Sequence, residues 1–338
     1  MIVIGRWIRL CLSFFMAVLL SYSLVHKNLI IYLAYQAKGQ LSVILNTETI
    51  SEYKNKNKLS VLQKSNLQLI KSIREFSVDS LGYKPTSNFS TIYNQHQAPV
   101  LWVVTASESF QLKEYFWDFP ILGKLSYKGF FKKELAVNEF NNLKCKGYDA
   151  DIRPASAWST LGWFSDPLMS SSLDYSKGRF CNLLFHELFH ATYYLPNKVN
   201  LNENLAEFIA HKATIKFLKN DIINLNYYLA DRYNDSLFER VMVKKATALN
   251  LFYDSIKNKA CKNELKICEL WQFSKSLETL NFSKSFNLHK RQKWINQSKN
   301  AYFVDFIQYS SLQDSLELVF NKIYNGNLLK MVQDLKGK

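Results

Sequence analysis

Residues 182–190, Asn-Leu-Leu-Phe-His-Glu-Leu-Phe-His, constrain this chain more than any other stretch. They carry an H-E-x-x-H pattern inside residues 180–195, an apolar, helix-forming run without glycine or proline until Pro196. On a helix, positions i and i+4 share a face, so His186 and His190 can reach one metal ion together. Glu187, beside the first of them, is then placed to act as general base on a metal-activated water rather than as a ligand.

A third ligand is offered by the next stretch of sequence. Asn202-Glu203-Asn204-Leu205-Ala206-Glu207 opens a second apolar helix running to about residue 218, and residues 196–200 read as the turn between the two. That hairpin returns Glu203 toward the histidines. Glu207, one helical turn further, faces the same way and can fix the tautomer of His186 by accepting a hydrogen bond. A third histidine six residues after the second is excluded, because that position is Pro196. The bland alternative, a buried helix pair with incidental polar residues, would have to desolvate two His and three Glu with no cation to offset the cost.

Length bounds the rest. A chain of 338 residues, 48% hydrophobic and 15% aromatic, can bury a sizeable core and is not of disordered composition. Its net charge of +15 comes from scattered lysines rather than from a compact basic block. A solvated basic surface near anionic lipid accounts for it better than a nucleic-acid interface, and no nucleic-acid partner is expected.

Arg6 and Arg9 precede an apolar run, residues 10–25, and the stretch 7–25 is near the length that spans a bilayer. The expected reading is an uncleaved anchor over 1–27 in a bacterial inner membrane. Its N-terminus is cytoplasmic and the remainder lies in the periplasm. Cleavage at Ser21-Tyr22-Ser23, releasing a periplasmic protein, is the alternative. Disulfides are permitted on that side, and Cys145, Cys181, Cys261 and Cys268 are available. Cys261 and Cys268 can bridge a local loop, or all four can be free thiols. None has C-x-x-C spacing.

Beyond the anchor, helices are expected over 28–45 and 59–81, the latter with apolar positions 62, 69, 70, 73 and 76. Strands are expected over 99–105, 123–131 and 148–153, with a helix at 134–146. A short strand at 159–164 follows, and from residue 180 the chain reads as nearly all helix. The organisation is a helical N-terminal region at 28–98 followed by a domain over 99–338. The fold class is α+β and zincin-like, with a small sheet over the metal helix and a mostly helical C-terminal half. Residues 156–164 are the candidate edge strand for pairing with an extended substrate, Ser159 and Thr160 its candidate contacts.

Several segments together resemble the bacterial putative aminopeptidase family, membrane-attached proteins with an H-E-x-x-H motif. They are residues 32–41 (Tyr-Leu-Ala-Tyr-Gln-Ala-Lys-Gly-Gln-Leu), 127–131 (Tyr-Lys-Gly-Phe-Phe), 156–164 (Ser-Ala-Trp-Ser-Thr-Leu-Gly-Trp-Phe) with Asp166-Pro167, the two glutamate motifs, Asn300-Ala301 and Tyr309. The second glutamate motif is also similar to the N-E-x-x-[SA]-[DE] of thermolysin-like gluzincins, which implies Glu203 as zinc ligand and Glu207 as support for the first histidine. Two features depart from the family. The cysteines that commonly flank the segment here at 118–124 are missing, as is an acylated N-terminal cysteine, so attachment falls to an anchor helix.

The expectation is therefore a membrane-anchored zinc metallopeptidase acting on peptides. One Zn²⁺ per chain is held by His186, His190 and Glu203, and Glu187 is the general base. Tyr193, Tyr194, His211 and Tyr309 are candidate donors to the oxyanion. A non-catalytic, metal-stabilised envelope scaffold is the alternative, and the presence of Glu187 argues against it, because metal binding alone does not require that residue.

Overall fold

The structure, a computed structural model, describes residues 27–119, 123–155, 165–196, 198–283, 286–309 and 312–337. The expected anchor at 7–25 and the expected edge strand at 156–164, with Ser159 and Thr160, lie outside them. Among the described residues no helix is long and apolar enough to cross a membrane.

The chain begins with α1 (Lys27–Leu45), the short strand β1 (Thr47–Thr49), α2 (Ile50–Lys56) and α3 (Val61–Asp79). Sequence sets the two later starts through capping boxes. The Thr49 and Ser60 hydroxyls accept from the third backbone N–H of their helices, and the Glu52 and Gln63 side chains accept in return from the cap N–H groups. On α3 the buried residues are Asn66, Leu67, Ile70, Ile73 and Ser77, while Leu62, expected inside, is exposed. Phe76 does pack, 5.9 Å from the ring of Phe185 and 5.2 Å from that of Phe217.

The strands that follow are β2 (Thr91–Tyr93), β3 (Trp102–Ser107), β4 (Trp117–Phe119), β5 (Gly123–Leu125), β6 (Tyr127–Phe130), β7 (Asp149–Pro154) and β8 (Leu168–Met169), with α4 (Lys133–Cys145) between β6 and β7. They form no single sheet. β1, β2 and β8 make one, with β1 antiparallel and β8 parallel to β2; β6, β3 and β7 make an antiparallel second; β4 and β5 form a hairpin ladder. The second sheet shows the period-2 division of its faces. Val104, Ala106, Phe130 and Ala150 bury against Ala136 and Leu143 of α4. Thr105, Ser107, Asp149 and Asp151, also buried, fall on the other face.

The rest is helical: α5 (Lys177–His190), α6 (Val199–Phe217), α7 (Ile222–Ile256), α8 (Lys262–Ser276), α9 (Leu288–Ser298), α10 (Asn300–Tyr309), α11 (Gln313–Lys322) and α12 (Leu328–Lys336). The second sheet packs on α4 and α10, whereas α5 packs chiefly on α6, α3 and α7. This departs from the expectation of one small sheet laid over the metal helix. The reason is that the apolar face of α5, with Phe180, Cys181, Leu184, Phe185, Leu188 and Phe189, is already covered by helices; the β1-β2-β8 sheet adds only Ile92 and Leu168 to that core. Residues 50–92 share the same core.

Helix α7 joins two cores. Tyr228, in its first half, lies against α5, and Phe238, Met242, Ala246, Leu249, Tyr253 and Ile256 then repeat every three or four residues into an aromatic-rich core shared with α8, α9 and α10. Cys145, Cys181, Cys261 and Cys268 are all free thiols, so the bridge considered between Cys261 and Cys268 is not formed.

Candidate metal centre

The expected helix over 180–195 starts earlier and stops at His190, with Ala191 as its cap. The turn that follows is closed by Asn202. Its side chain, 1% exposed, accepts from the Leu195 N–H at 2.9 Å and donates to the Leu195 carbonyl at 2.8 Å. This tie brings α6 back along α5 and delivers Glu203 to the histidines.

The three expected ligands meet. His186 Nε2 lies 3.1 Å from His190 Nε2 and 3.3 Å from Glu203 Oε2, and His190 Nε2 lies 3.5 Å from Glu203 Oε1. They form the one group among the described residues whose His, Cys, Asp and Glu atoms are spaced to hold a metal. A tetrahedral ion with ligand bonds of about 2.0–2.1 Å needs donor atoms roughly 3.3–3.4 Å apart, so the residues fit one. Two imidazoles and one carboxylate are also the right donor chemistry.

The electrostatics point the same way. Burial alone would depress His186, but Glu203 and Glu207 outweigh it and hold the metal-free imidazole up at about 10. A metal must therefore displace that proton. Burial would raise Glu203, yet hydrogen bonds from His186 and His190 pull it well below the usual carboxylate range. Glu187 is pushed up by burial against the pull of both histidines, with the nearby carboxylates of Glu203 and Asp166 adding to the rise.

Glu207 takes the expected place, its Oε2 3.6 Å from His186 Nδ1. Burial raises it, but His186 and then Arg232 hold it down at about 2. Arg232, on α7, places Nη1 2.5 Å from the other carboxylate oxygen, Oε1. Arg232 is not among the residues expected from the sequence. Its only local signal is a four-residue spacing from Tyr228, whose hydroxyl lies 3.0 Å from His211 Nδ1. His190 differs from its neighbour, since its Nδ1 is buried and has no hydrogen-bond partner among the described residues.

The candidate oxyanion donors separate. Tyr194 is 44% exposed, with its ring 6.5 Å from that of His190. Tyr193 turns into the apolar core and packs on Phe189. His211 sits two turns along α6 from Glu203, about 12 Å along the axis, engaged with Tyr228. The side chain of Tyr309 lies outside the described residues, as do Ser159 and Thr160. One further residue, on the edge strand β6, feels the centre's charge: the phenol of Tyr127 is raised by burial, then by the charges of Glu203 and Tyr194.

A family model described as "Putative aminopeptidase" matches residues 31–337, and the chain belongs to that family. No curated protein and no solved structure matches the chain.

Proposed function

We propose that this member of the putative aminopeptidase family is a zinc-dependent peptidase whose metal ligands are His186, His190 and Glu203 and whose general base is Glu187. The observation that carries the reading is the convergence of the three donor atoms at ligand spacing with Glu187 one residue from the first of them. When bound, zinc acidifies a water to a pKa near 7 and polarises the scissile carbonyl.

Glu187 is set apart from the ligands by its environment. Partly buried and raised above the usual carboxylate range, it is fitted to accept a proton from the attacking water and deliver it to the leaving amine. Among the described residues, Tyr127 and the exposed Tyr194 are the candidate donors to the developing oxyanion. Asn202 fixes the hairpin, and Tyr193 and His211 serve packing and a hydrogen bond rather than substrate. Residues 7–25 anchor the chain in the membrane, and its remainder meets peptide substrates on the opposite side from the N-terminus; the apolar run behind Arg6 and Arg9 supports this.

The test is a peptide library offered to the zinc-loaded full-length chain and to Glu187→Gln. That substitution keeps volume and ligands but removes the proton acceptor, so hydrolysis falls by at least about 10²-fold with zinc retained. A wild type that cleaves nothing, or a variant that cleaves equally well, returns the chain to the metal-stabilised scaffold.

A further inference from the structure

We propose that Arg232 is a positioning residue of this site, holding Glu207 so that its second oxygen orients His186 for the metal. The inference rests on the zinc-peptidase reading above. Its geometry is a chain of three groups from three helices. Arg232 Nη1 on α7 forms an ion pair with the buried Oε1 of Glu207 on α6 at 2.5 Å, close but without the alignment of a hydrogen bond, and Oε2 of the same carboxylate faces His186 Nδ1 on α5 at 3.6 Å. A carboxylate is rigid and planar, so fixing one oxygen directs the other. Without that grip Glu207, 30% exposed, has three free torsions and water to turn toward.

Arg232 is itself held in place. Helix α7 can approach α5 because residue 178 is glycine: a Cβ there would lie 2.4 Å from Cβ of Tyr228. Arg179, one residue on, spans Asp231 and Asp235 at 2.9 and 2.8 Å, tying the first turn of α5 to α7 on either side of Arg232. Along α6, Glu207 and His211 are one turn apart, and they meet Arg232 and Tyr228, one turn apart in the opposite order along α7. Two rungs of an antiparallel ladder thus set where the guanidinium stands.

Two further observations give the grip a purpose. Among the described residues the Nδ1 of His190 has no hydrogen-bond partner, whereas that of His186 faces Glu207. Charge also enters, since Arg232 sets a cation against Glu207 on the side away from Glu203 and the histidine pair. A planar fork suits this task better than an ammonium.

The experiment is a double-mutant cycle on zinc affinity, read by chelator competition on the full-length chain. Arg232→Met weakens zinc by about 10–100-fold, the scale expected for losing an outer partner of a ligating histidine. Combined with Glu207→Gln it weakens binding no further than Glu207→Gln alone, and Arg232→Lys recovers part of the loss. A merely structural arginine would lower stability without this coupling. If Arg232→Met binds zinc as tightly as wild type, or if the two losses add, the inference is overturned and the peptidase reading stands. A wild type that binds no zinc overturns both.

Discussion

The molecule buries charge in two places and treats it in opposite ways. On the polar face of the second sheet, Lys266 is 3% exposed and donates to Asp149 Oδ2 and to the Ser109 carbonyl, each at 2.5 Å. The same carboxylate oxygen accepts from the Asn300 N–H at 3.0 Å, while Asn300 donates to the Glu108 carbonyl and accepts from Tyr253. One cation meets one anion, and backbone groups take up the remaining valences. At the candidate metal centre three carboxylates and two imidazoles crowd together with one guanidinium, and His190 Nδ1 has no hydrogen-bond partner among the described residues. The first cluster is closed and stabilises by its own pairing. The second gathers donor atoms at the spacing a metal ion needs, which makes it a candidate place for a ligand.

The largest expected effect breaks the closed cluster. Lys266→Met leaves Asp149 buried without its cation and should lower unfolding free energy by about 3–5 kcal/mol in a urea titration. Zinc content per folded chain should not change. Zinc lost in step with stability would mean the two clusters are not independent, and the contrast would fall.

A smaller effect sharpens the contrast through pH. His211 is depressed to about 4, first by burial and then by Arg232 and Lys212, with Glu207 and Glu317 opposing. A histidine depressed on folding contributes stability that is complete above its unfolded value near 6.5 and is lost as pH falls toward about 4. Urea midpoints should therefore drop across that window, and the drop should shrink by on the order of 2 kcal/mol in His211→Gln. A parallel drop in both proteins would show that His211 does not titrate between those limits.

What could be read from sequence follows the same division. His186, Glu187, His190, Glu203 and Glu207 were legible because their relations are local: helical spacing puts them on shared faces, and a short turn folds one helix onto the next. The strands at β3 and β7 and the helix α4 were likewise legible within a few residues, from a β-branched apolar run, from alternation and from a glycine stop. Arg232 was not, because its partner lies 25 residues away on another helix and nothing local marks a surface arginine as engaged. Nor was the Lys266–Asp149 pair, whose members are 117 residues apart. Tyr193 and Tyr194 looked alike because helical phase ends with His190, and only the path of the turn sends one inward and the other out. The placement of the sheets failed for a related reason: period-2 alternation shows which face of a strand is buried, not which helix covers it.

The central claim is that the His186–His190–Glu203 cluster is built for a metal ion, and metal content tests it most directly. Full-length protein purified without chelator should carry about one zinc per chain by elemental analysis. Glu203→Ala, measured at equal folded protein, should lose most of it, while Lys266→Met keeps it. Zinc retained in full by Glu203→Ala, or absent from wild type, would contradict the account.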